Sequence, residues 1–356
     1  MIKNILIIVF TIALTYTCNA QSTEPSKKYD YVCPPCNSKC DSLEFKNGGI
    51  CKHCGMELIL KKDLMKLPTD SNKKRIAFYL QDGVEILDFG GPLEVFSAAG
   101  HQVIIVSKTT EPITSQGVLK IIPDYDIENV PEVDVLAFFG GNVSRDSMDE
   151  DIIKWIQSLT NLDNYFSVCT GAFFLGEAGI LKNKTATTFH SALDHLEEKY
   201  KDTKVLRDAR YVDNGEVITT AGISAGIDGA LHLVAKWQGY NKAREVVFVM
   251  EYDKWMPGEG ILLAEDNPYQ NLITLKKLQD YDGIYVNKKG KRVAIKLNEK
   301  EKGLYAVIEK NKIPLFHEND DTFSRMNKAS VTFIRNKNNE VISIKSSEHP
   351  EKFVKQ

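Results

Sequence analysis

The sequence has no excess charge of either sign: 45 basic and 48 acidic side chains leave −3 over 356 residues. Nothing in that balance points to nucleic acid or another polyanion as a partner. Internal repeats and low-complexity tracts are absent, apart from Lys-rich patches near the C terminus that read as solvated surface. The apolar run Ile5–Leu14 is too short to span a bilayer. What is present is a length of about two to three ordinary domains. A hydrophobic fraction of 43% is enough for a substantial core.

Residues 1–20 read as an export signal rather than structure. Lys3 precedes the apolar run, and Cys18-Asn19-Ala20 ends in a small residue before Gln21, which suits cleavage after Ala20. The expected protein is exported, periplasmic or membrane-attached on the envelope. Lipid attachment through Cys18 is the second option, but Tyr16-Thr17 is a poor match to the small residues such processing prefers.

Residues 29–60 form a Cys-rich module. Cys33-x2-Cys36 and Cys51-x2-Cys54 are two knuckles with Gly48-Gly49 turning the chain between them. Four thiolates in two such pairs suit a tetrahedral, structural Zn²⁺ of the zinc-ribbon kind, and a segment this small needs a staple. Cys40 is spare and His53 lies inside the second knuckle; either is able to replace a ligand. In an oxidising compartment, disulfides such as Cys33–Cys54 or Cys36–Cys51 are the alternative. The Cys-Pro and Cys-Gly-Met steps resemble short metal-binding modules found after signal peptides in bacterial envelope proteins.

After a charged linker, 61–74, strands and helices alternate over 75–256, the pattern of a doubly wound parallel α/β sheet. Arg75–Leu80, His101–Ser107 and Val133–Phe139 read as strands, and a helix is expected over Leu93–Ala99 after Pro92. Cys169 stands between the strand-like Tyr165–Val168 and a helix that begins near Gly171. That junction aims its sulfur out at the carboxyl end of the sheet, where backbone N–H groups and the helix dipole favour thiolate. The turns at Asp88 and at Gly140-Gly141 open at the same end. A carboxyl is able to relay a proton there, and glycine N–H groups suit an anion pocket. His190, closing Ala186–Phe189, is a further candidate base.

The segments DGVEILDFGGPLEVF, FFGG, SVCTGAFFLGEAGIL, ATTFH and AGISAGIDGALHLV resemble the DJ-1/PfpI superfamily of class I glutamine amidotransferase-like proteins. More narrowly, they are similar to the branch that contains isonitrile hydratase and the sensor halves of some AraC-type regulators. This resemblance implies a flavodoxin-like, often dimeric domain with Cys169 as elbow nucleophile and Asp88 as its acidic partner. It implies no cofactor in the α/β domain. Thr170 stands where protease-like members carry His, so peptidase activity is not expected. Isonitrile hydratase also has Thr there, but Phe189 and His190 replace a His and a Trp of that enzyme, so its substrate does not transfer.

The chemistry expected is addition of water, or hydrolysis, of a small electrophile through a Cys169 adduct. Asp88 moves the protons, and Gly141 and Thr170 N–H groups face the developing charge. The rival expectation is a redox or stress sensor in which Cys169 is oxidised. Beyond a linker at 257–277, residues 278–350 carry short alternating runs with turn signals at Asn287–Gly290 and Asn336–Asn339, a small antiparallel sheet or barrel without assigned chemistry.

Overall fold

The computed structural model describes residues 31–33, 40, 43–53, 55, 58–60, 73–326, 328–349 and 351–356. The leader with Cys18, the linker residues 61–72, and the knuckle cysteines Cys36 and Cys54 lie outside them. Two compact units divide the chain, Met1–Thr69 and Asp70–Gln356.

The larger unit is built on a sheet whose central strands are buried on both faces. These strands are β1 (Arg75–Tyr79), β2 (Gln102–Ser107), β3 (Tyr125–Asp126), β4 (Val135–Phe138), β5 (Asn164–Val168), β6 (Tyr211–Asp213), β7 (Val217–Thr220) and β8 (Ile261–Leu262). Their spatial order is β8-β6-β7-β5-β4-β1-β2-β3, parallel except where β6 meets β7. Successive side chains of a strand point to opposite faces, so the apolar run of β1 feeds two cores. Ile76 and Phe78 pack with Val95 and Phe96 of α1 (Ile86–Ala99) and Leu231 and Val234 of the helix Ala225–Gln238. Ala77 and Tyr79 pack with Ile152 and Trp155 of α2 (Glu150–Ser158) and Phe174 of α3 (Ala172–Glu177). The result is the flavodoxin-like, three-layer α/β arrangement.

Two local expectations change. The helix expected after Pro92 begins at Ile86 and runs through that proline. Pro92 cannot donate to the carbonyl one turn back, but it is buried, and its ring faces Gly226 of the neighbouring helix. Packing therefore outweighs the lost hydrogen bond, and Asp88 is carried into the helix's first turn. Ile261–Leu262, in the stretch expected as linker, instead extends the sheet beside β6.

Residues Gly283–Lys355 close into an eight-stranded antiparallel barrel, completed where Gly283–Val286 pairs with Phe353–Lys355. Tyr281, Tyr285, Phe323 and Phe333 fill its interior, as side chains do in small barrels. The barrel docks on α6 (Tyr240–Val249), counting the helices at Leu193–Lys199 and Ala225–Gln238 as α4 and α5. From α6 the buried Arg244 reaches the Leu315 carbonyl at 2.7 Å and lies against the rings of Tyr305 and Phe316.

The smaller unit holds a three-stranded antiparallel sheet in the order Glu44–Phe45, Tyr31–Val32, Ile59–Leu60. Among the described residues its buried core holds Cys33, Cys40, Cys51 and Leu58, with Tyr31 and Phe45 packed against it.

Candidate functional site

Strand β1 leads outward to β2 and β3, and the chain returns to the other side of β1 as β4. A doubly wound sheet opens a crevice at such a reversal, beyond the carboxyl ends of its strands. The chain beyond β1, β4 and β5 supplies Asp88, Gly140 and Cys169 respectively, and these strands are neighbours in the sheet.

Cys169 follows β5 directly and opens a single 3₁₀ turn before α3. Its φ is 58°, a left-handed conformation that a non-glycine residue adopts at a cost. The surroundings hold it there. Its N–H donates to the Ala221 carbonyl at 3.2 Å, and its carbonyl accepts from the Thr188 hydroxyl at 2.6 Å. A strand, one left-handed residue and a helical turn make the elbow that the apolar-then-glycine pattern implied.

Asp88 is fully buried. Its Oδ2 accepts from Gly140 N–H and its Oδ1 from Ile223 N–H, each at 2.9 Å. Gly140 is where carboxylate and sulfur meet: a Cβ there would lie 2.7 Å from Asp88 Oδ2 and 2.7 Å from Cys169 Sγ. Next to it, Gly141 has φ 102°, and a side chain there would run into the Gly83 carbonyl. Two bonds, from Glu85 N–H to the Gly140 carbonyl and from Asn142 N–H to the Gly83 carbonyl, lock this turn. The Gly141 N–H donates to no group among the described residues.

The electrostatics reverse one expectation. Burial pushes the Cys169 thiol up to about 12, and the charge of Asp88 adds to the rise, outweighing the Thr170 N–H that favours thiolate. The Thr170 hydroxyl also leans toward the sulfur, though without hydrogen-bond geometry, and it has no partner among the described residues. The helix dipole contributes little because α3 has six residues and starts three positions beyond the sulfur. Burial likewise raises Asp88, to about 6, against the lowering effect of the Gly140 and Ile223 N–H groups. At neutral pH the pair is therefore a thiol beside a carboxylate, with a single proton held on sulfur.

The structure brings together Cys169, Asp88, Gly140 and Thr170, with Gly141 adjoining. His190 stays apart: it is exposed, its ring lies 4.2 Å from that of Phe189, and it makes no hydrogen bond to Cys169 or Asp88 among the described residues. Ile223 is the residue that sequence reasoning passed over. A β-branched side chain at φ 54° is strained, and the conformation directs its N–H at Asp88. The only sequence signal is its place in AGISAG, immediately after β7.

The DJ-1/PfpI family profile matches residues 74–236. Isonitrile hydratase from Pseudomonas putida is 36% identical over 184 residues, covering 50% of this chain and 78% of that protein. The HTH-type transcriptional regulator CdhR from Pseudomonas aeruginosa is 27% identical over 176 residues, 48% of this chain; only 52% of the regulator is spanned. Among solved structures, a ThiJ/PfpI family protein from Pseudomonas syringae has 28% identity and a TM-score of 0.48, covering 57% of this chain and 80% of that one.

Proposed function

The chain belongs to the DJ-1/PfpI family, and on that premise we propose that it adds water to, or hydrolyses, a small electrophilic substrate through a covalent Cys169 adduct. The observation that carries this reading is the buried thiol and carboxylate meeting over Gly140. As the sulfur's electron pair forms a bond to an electrophilic carbon, its proton passes to Asp88. The electron pair displaced on the substrate takes that proton up. Water then adds to the same carbon, its proton moving through Asp88. The C–S bond breaks with its pair returning to sulfur, which is reprotonated. The net change is one water added to the substrate, and no further reactant is needed.

Gly141 and Thr170 N–H groups face the developing charge in this scheme; loss of one such donor typically costs about 3 kcal/mol of barrier. Relatedness to isonitrile hydratase supports a carbon electrophile of that class. Export, carried by residues 1–20, completes the proposal.

The test offers the purified protein a panel of small carbon electrophiles, isonitriles among them, and looks for hydration of any one. Cys169→Ala should abolish it, and intact-mass analysis during turnover should reveal an adduct on the wild-type chain. Turnover by Cys169→Ala at the wild-type rate would remove the mechanism.

A further inference from the structure

The Cys-rich unit holds a cluster that the two-knuckle spacing does not anticipate. The sulfurs of Cys33, Cys40 and Cys51 all lie within 4.8 Å of one another. They come from three separate places: the end of the strand Tyr31–Val32, a short helical turn at Cys40, and the residue after Ile50. All three residues are almost completely buried, with exposures of 2%, 0% and 1%. His53, the other stand-in offered by the sequence, is exposed and outside this group.

We propose that Cys40 is a metal ligand, and that Cys33, Cys40 and Cys51 form three of the four thiolate positions around one Zn²⁺. Zinc–sulfur bonds of about 2.3 Å place tetrahedral ligand sulfurs somewhat under 4 Å apart, so the observed convergence needs only a small contraction. Three soft donors with no carboxylate or imidazole among them suit a thiophilic d¹⁰ ion rather than a hard cation. The energetics agree. The strands of this unit are two residues long, and Leu58, Tyr31 and Phe45 are the only other core residues described. A segment of this length gains little from burial alone, whereas metal binding couples directly to folding.

The experiment uses the full-length protein, reduced, stripped with chelator and titrated with Co²⁺ as a spectroscopic substitute, followed by displacement with Zn²⁺. Wild-type protein should bind one ion, with sulfur-to-cobalt charge transfer of a four-thiolate site. Cys40→Ser should lower that intensity by about one quarter and weaken Zn²⁺ by at least tenfold. Cys40→His, which keeps a ligand, should restore one-to-one binding with an altered ligand-field band, separating ligation from a folding defect. A Cys40→Ser spectrum identical to wild type, with both Cys36→Ser and Cys54→Ser impaired, would overturn the proposal. So would a purified wild-type protein whose non-reduced mass places Cys40 in a disulfide. None of these readouts depends on catalysis at Cys169.

Discussion

Asp88 and Cys169 share the atom-sized space that a side chain on Gly140 would fill, so carboxylate and sulfur act as one protonic unit. Two negative charges in so dry a place are costly, and the pair keeps one proton at neutral pH. Asp88→Asn tests this directly. Removing the carboxylate charge should lower the thiol's pKa, read as ultraviolet thiolate absorbance appearing at lower pH than in wild type. Turnover should nonetheless fall by roughly 10²–10⁴, because the proton acceptor is gone. A thiolate titration unmoved by the substitution would break the coupling.

The same pair sets the sign of the pH dependence. Asp88 must be ionised to accept the S–H proton, and burial raises it to about 6. The value of kcat/KM should therefore climb about tenfold per unit below pH 6 and level off above it, with no fall before strongly alkaline pH. An acid optimum below pH 5 would assign the proton to a different group. In Asp88→Asn the residual rate should lose this inflection.

Gly140 has no room for a methyl group, whereas at Gly90, in the first half of α1, a methyl group would meet nothing within 4 Å. Gly140→Ala should force sulfur and carboxylate apart, cutting kcat by 100-fold or more and costing about 1–3 kcal/mol of stability from overpacking. Gly90→Ala should leave activity alone and raise stability by about 0.5–1 kcal/mol through helix propensity. Kinetics and thermal melts of the two variants side by side distinguish a site-specific clash from a general effect of glycine replacement.

The positions of the strand ends were legible in the sequence. Cys169, Asp88 and the Gly140 turn each lie beyond the carboxyl end of a buried apolar strand, and period and punctuation locate such ends. The protonation of Cys169 was not legible, because burial depends on which elements cover the sulfur. Ile223 was hidden for a related reason: its N–H matters only once β7 is placed beside β5. Pro92 misled because its local cost is certain while its compensating contacts with α5 are tertiary.

A buried cation, Arg244, joins the barrel to α6 alongside hydrogen bonds from Tyr240 and Asn241. Arg244 is 3% exposed, and its guanidinium donates to the carbonyls of Leu315 and Leu304. Gly303 leaves the space that the guanidinium occupies, and Tyr240 of the same helix donates to the Glu301 carbonyl. Arg244→Ala would strip both carbonyls of a buried donor and leave a void between helix and barrel. Each unsatisfied buried group costs about 1–3 kcal/mol, and the void adds to it. The expected outcome is a barrel that opens away from α6, so that limited proteolysis cuts within 257–277 at least tenfold faster than in wild type. Gly303→Val, which fills the guanidinium's place from the barrel side, should release the same segment. If both variants resist protease as wild type does, the barrel is held by its remaining contacts, and Arg244 is a passenger at the interface.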